Sequence, residues 1–119
     1  MDVNNVRWLL SDGKQGYPAG SFYNCIFLVL TGRNELDPVQ TLFDLFNRAD
    51  LERIRQLNDA APGLAVAVGL LYNAQISERE LREDYGDVLE DIPAFVGRAF
   101  PECVALVEQA RAELQPEVT

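Results

Sequence analysis

The residues with the most chemical potential in this chain are carboxylates. Between Glu78 and Asp91 stand seven acids (Glu78, Glu80, Glu83, Asp84, Asp87, Glu90 and Asp91) against two cations, Arg79 and Arg82. Glu80, Glu83, Asp84 and Asp87 lie at i, i+3, i+4 and i+7, so a continuous helix would carry them on one face. Like charges at that spacing repel one another. Such a stripe suits contact with a basic groove on another protein, where it would imitate the charge of a nucleic-acid backbone. Oxygen ligands could also hold a divalent cation, but the EF-hand loop pattern is absent, and a solvated surface face is the plain alternative. Paired carboxylates can do general acid–base work. Nearly any acidic helix offers such a pair, and no pair here is singled out.

Other chemistry has little to build on. The chain contains no His, and its two cysteines, Cys25 and Cys103, stand far apart in apolar surroundings with no CxxC pair. Zinc is usually held by Cys and His, so no metal site is expected, nor any cofactor. Isolated thiols of this kind behave as small buried hydrophobes. A second candidate is Gly16-Tyr17-Pro18-Ala19-Gly20-Ser21, which leads into a helix. Free amides at a helix N-terminus can bind an anion, which would make Gly20 and Ser21 a nucleotide or anion contact. The segment lacks the Lys-Ser or Lys-Thr of a P-loop, and a turn entering a capped helix accounts for it as well. The aromatics with a polar handle, Trp8, Tyr17, Tyr23, Tyr72 and Tyr85, could anchor an interface or close the edge of a core.

The chain's charge restricts its partners. The 119 residues carry a net charge of −9. Binding to duplex nucleic acid rests on Lys and Arg neutralising phosphates, so direct binding to nucleic acid is not expected. An acidic balance favours a basic partner or serves solubility. The longest uninterrupted apolar run, Cys25 to Leu30, is far short of the roughly twenty residues that cross a bilayer. The N-terminus lacks the basic and apolar regions of a signal peptide. No membrane contact is expected, and the expected location is the cytoplasm.

The elements that would position these groups read as helices. Val3, Val6 and Leu10 keep helical spacing, and Ser11 to Ala19, with Gly13, Gly16 and Pro18, reads as a loop. Ser21 suits an N-cap for a helix running to about Thr31, with Gly32 as its stop. Asp37, Pro38 and Gln40 form a helix start resembling a capping box. Val39, Leu42, Phe43, Phe46 and Ala49 follow the 3.6-residue period, and Ile54 and Leu57 continue it. Either one bent helix or two would satisfy that stretch, with Asp50 as a possible second cap. Pro62 to Ala74 is almost wholly apolar and predicts a central buried helix. Gly69 inside it suggests close approach of a neighbouring helix, because glycine there costs up to about 1 kcal/mol relative to Ala.

Ser77 and Glu80 form a capping box for a charged helix ending near Tyr85-Gly86. Val88 to Phe100 predicts another, interrupted at Pro93. Pro101 to Leu114 predicts the last, packed through Val104, Val107 and Leu114, with Cys103, Leu106 and Ala110 beside them. The expectation is an all-α, compact single domain over 1–114, built from six or seven short helices, with a frayed tail over 115–119.

Two short segments, Pro18-Ala19-Gly20-Ser21-Phe22 and Phe46-Asn47-Arg48-Ala49-Asp50, carry a family resemblance. Their order and spacing resemble small uncharacterised proteins of bacteriophages and prophages, over Pro18 to Asn73. The chain departs from that pattern after Asp50, where Leu51-Glu52-Arg53-Ile54 replaces an early Asn. The resemblance brings no activity and no functional residue; it implies a phage or mobile-element setting and a non-enzymatic role. Joined to the acidic stripe, it gives a functional expectation. The chain would bind and modulate a host protein with a basic surface, such as a nucleic-acid-binding defence factor, as an anti-CRISPR-like inhibitor does. The contacts would be Glu80, Glu83, Asp84, Asp87, Glu90 and Asp91. A virion structural or assembly protein, a homo-oligomeric adaptor, and a small anionic-ligand binder are the alternatives.

Overall fold

Phe22 opens the first helix of a computed structural model that describes residues 22–114. The readings made for 1–21, including Trp8, Tyr17 and the Gly20-Ser21 anion contact, and the tail over 115–119 lie outside the described residues. Among the described residues seven helices follow one another: α1 (Phe22–Leu30), α2 (Pro38–Arg48), α3 (Leu51–Ala60), α4 (Leu64–Tyr72), α5 (Glu78–Glu90), α6 (Ile92–Ala99) and α7 (Pro101–Leu114). Among the described residues there is no strand. The domain is all-α.

Local chemistry sets most of the boundaries. Thr31, Gly32 and Arg33 close α1 in a Schellman motif: the Gly32 amide donates to the Val29 carbonyl at 3.2 Å and that of Arg33 to Leu28 at 2.9 Å. Gly32 sits at φ +75°, where a side chain would be strained. The Asp37 carboxylate accepts from the Gln40 amide at 2.9 Å, with Pro38 at the first helical position. Asp50 does the same for Arg53 at 2.9 Å. Ala49 and Asp50 are both extended, so 38–60 is two helices, and the turn falls at the second cap. The start expected at Pro62 lies two residues later. Ala61, Pro62 and Gly63 turn the chain, Gly63 at φ +86°, and α4 begins at Leu64. The Asn58 side chain reaches from α3 to accept from the Ala65 amide at 3.1 Å, satisfying one of the open amides of that first turn.

The core is drawn chiefly from α1, α2, α5, α6 and α7, with Leu57 from α3, Ala61 from the turn after it, and Leu64 and Val68 from α4. Phe27, Phe95, Ile26 and Leu45 are fully enclosed. Helix α6 sits at the centre, packed against α1, α3, α5 and α7. Phe22 meets Phe100 edge-on at 5.3 Å between ring centres, a favoured aromatic geometry. The buried side of α7 is Cys103, Val107 and Ala110, with Leu106 half-buried against the core.

Two expectations fail at α4. It is not a buried central helix: only Leu64 and Val68 are buried, while Val66 is 67% and Tyr72 66% exposed. No helix closes on Gly69, since a Cβ built there meets nothing within 4 Å. The reason is position. Helix α4 packs chiefly on α2, α3 and α5 at one side of the domain, so its outer face meets solvent despite being apolar.

Candidate protein-interaction face

The acidic segment is held by a well-made helix. The Ser77 hydroxyl accepts from the Glu80 amide at 3.1 Å, and the Glu80 carboxylate accepts from the Ser77 amide at 3.4 Å. Both halves of the capping box are therefore present. Leu81, Val88 and Leu89 are buried and tie α5 to the core. That anchoring leaves Glu80, Glu83, Asp84, Asp87, Glu90 and Asp91 all exposed.

The helix does not stop at Gly86, as its sequence suggested. It runs on to Glu90 across a kink at Tyr85 (φ −130°, ψ 31°). The Tyr85 hydroxyl donates to the Pro62 carbonyl at 2.7 Å, pinning the kink to the turn before α4. Gly63 permits this contact, because a Cβ there would lie 2.6 Å from the Tyr85 oxygen. Glu80, Glu83 and Asp84 precede the kink and share one helical register. Asp87 and Glu90 follow it, so a straight-helix stripe does not extend to them. The break between α5 and α6 comes at Asp91, whose carboxylate accepts from the Ala94 amide at 3.1 Å. Pro93 lies in the first turn of α6, where its missing N–H is no loss; it does not interrupt the helix.

Thus Glu80 and Asp91 have structural duties as well as charge. Glu83 lies 3.7 Å from Arg79, and both side chains are largely exposed. Exposed pairs of this kind contribute about 0–1 kcal/mol. Among the described residues no three His, Cys, Asp or Glu side chains converge as metal ligands. The Cys25 thiol, on α1, is pushed up to about 12 by burial, with Asp44 adding to the effect. Burial also pushes Cys103 up to about 12. Nucleophilic attack needs the thiolate, so both thiols are held in their inert form at neutral pH.

No residue pattern announces the groove between α4 and α5. Val66, Ala67 and Leu70 line one wall, and Glu80 and Asp84 stand on the other, above Ile76 and Leu81; the volume is ≈ 260 Å³. On the opposite side of α4 a second cleft of ≈ 300 Å³ lies among Phe43, Phe46, Ile54, Val68, Gly69 and Tyr72. There Tyr72 stacks edge-on against Phe43 at 5.6 Å. Of the other tyrosines, Tyr23 accepts a hydrogen bond from Arg53 and closes the edge of the core. The one available signal was that α4 has no polar side. A helix apolar all round is normally buried, and that rule pointed the wrong way.

No protein-family model, no curated protein and no solved structure matches the chain. Among the described residues no helix is long and apolar enough to cross a membrane.

Proposed function

We propose that the protein is a non-enzymatic interaction module that binds and modulates a host protein with a basic surface, in a phage or mobile-element setting. Nucleic-acid-binding defence factors are the proposed class of target. The observation that carries this reading is α5. Its buried Leu81, Val88 and Leu89 hold six carboxylates of the α5–α6 segment out in solvent, on a chain of net charge −9. A concentrated negative surface speeds encounter with a basic partner and selects for one. Glu83, Asp84, Asp87 and Glu90 are the contacts free of capping duty.

The test is an affinity pull-down from bacterial lysate at low and high salt, with the variant Glu83→Lys, Asp84→Lys, Asp87→Lys run in parallel. A host nucleic-acid-binding protein that is retained at low salt, released by high salt and lost with the variant supports the reading. Undiminished capture by the variant overturns it. A second reading, homo-oligomeric assembly, draws on the exposed apolar face of α4. Large apolar patches mark association sites. Light scattering that returns a dilute monomer removes that reading.

A further inference from the structure

The groove between α4 and α5 differs from the rest of the surface in joining two kinds of chemistry. Its floor and one wall are aliphatic, from Val66, Leu70 and Ile76, and its other wall carries the Glu80 and Asp84 carboxylates. At ≈ 260 Å³ it is smaller than the roughly 300–1,000 Å³ of small-molecule sites, and its open shape suits side chains of a longer segment. Its end is fixed: the Tyr85 hydroxyl on the Pro62 carbonyl ties α5 to the turn that begins α4, so little ordering remains to be done on binding.

We infer that this groove seats an amphipathic basic segment of the partner, with aliphatic side chains on Val66, Leu70 and Ile76 and a Lys or Arg between Glu80 and Asp84. This deepens the function proposed above and rests on it. Charge complementarity selects the occupant. A wholly apolar segment would leave both carboxylates facing it without a cation, and a purely basic one would leave Val66 exposed. A second copy of this chain is disfavoured for the same reason. A two-fold contact places the same patch on both sides, so two copies would bring Glu80 and Asp84 twice to the seam and no cation from the groove lining. The mode is a helix laid in a groove, read by aliphatic anchors at helical spacing.

The experiment uses ¹⁵N-labelled protein and two synthetic helical peptides, one of Leu and Lys at amphipathic spacing and one with every Leu replaced by Ser. The Leu–Lys peptide is expected to move the amides of Val66, Leu70, Ile76 and Asp84, and to bind about tenfold more tightly than the Ser–Lys peptide. Val66→Ser is expected to weaken it about fivefold, and Asp84→Asn to flatten its salt dependence. Val66 and Asp84 are both exposed, and thermal melts confirm that the variants fold. Equal binding of the two peptides, with shifts confined to the acids of α5, overturns the groove and leaves the acidic-face reading standing. No binding by either peptide at low salt overturns both. Concentration-dependent shifts of the groove amides without peptide, with a dimer by light scattering, show a second copy as the occupant and also overturn the inference.

Discussion

Helices α1 and α4 are each nine residues long, and both are strongly apolar: FYNCIFLVL against LAVAVGLLY. Helix α1 buries Phe22, Cys25, Ile26, Phe27 and Val29, whereas α4 buries only Leu64 and Val68. Their neighbours account for the difference. Helix α1 packs on α2, α6 and α7, while α4 packs on α2, α3 and α5 and leaves an open cleft on each flank. Apolar sequence thus does two jobs here. In α1 it builds the core. In α4 it leaves apolar side chains in solvent beside a negatively charged helix.

The largest expected effect comes from breaking the buried member of the pair. Phe27 is fully enclosed, and Phe27→Ala is expected to cost about 3–5 kcal/mol, read by urea unfolding. A smaller loss there would mean that α1 is less closely packed than α4's contrast with it implies. The same burial shields Cys25. With its thiol raised from 9.0 to about 12, it should resist alkylation at pH 8 until the chain is unfolded. The folded state holds the thiol proton more tightly than the unfolded chain does. This contribution to stability is whole below pH 9 and is lost as pH rises towards 12. Rapid native-state labelling at pH 8 would contradict it.

Next in size is the turn that sets α4 in place. Gly63→Ala puts a side chain at φ +86° and against the Tyr85 hydroxyl. The expected loss is about 2 kcal/mol, together with shifted amides around the α4–α5 groove. At the other end of α4, Ala74 holds φ +58° in a second Schellman closure, with the Gln75 amide donating to Leu70 at 2.8 Å. Ala74→Gly should stabilise by about 0.5–1 kcal/mol, visible as a raised Tm. The smallest effect sharpens the comparison most. Val66→Ser should change stability by no more than about 0.5 kcal/mol, since the residue is already in water. A large loss would mean that α4's outer face is covered in solution.

Much of the fold was legible because helix ends are local. Asp37, Asp50 and Ser77 announce their caps by residue type and spacing, and Gly32 announces a stop. Less was legible of where helices join. Asp91 outcompeted Pro93 as the boundary before α6, because a cap acts wherever the backbone lets the carboxylate fold over the first turn. A break near Tyr85-Gly86 was legible, but its form, a kink rather than an end, depends on a carbonyl, that of Pro62, 23 residues away. The exposure of the six carboxylates was legible from their residue type. Their separation into a group before the kink and a group after it was not.

Residue types alone suffice for the helical class, most of the caps and the negative charge of the α5 segment, since propensity, capping and net charge depend on residues near one another in the chain. Packing sets which apolar helix is enclosed and which faces water. Burial depends on which sides of a helix its neighbours cover, and periodicity within one segment carries no record of that. The pairing of Glu80 and Asp84 with Val66 and Leu70 across one groove belongs to the same category: it exists only because α4 and α5 are packed side by side.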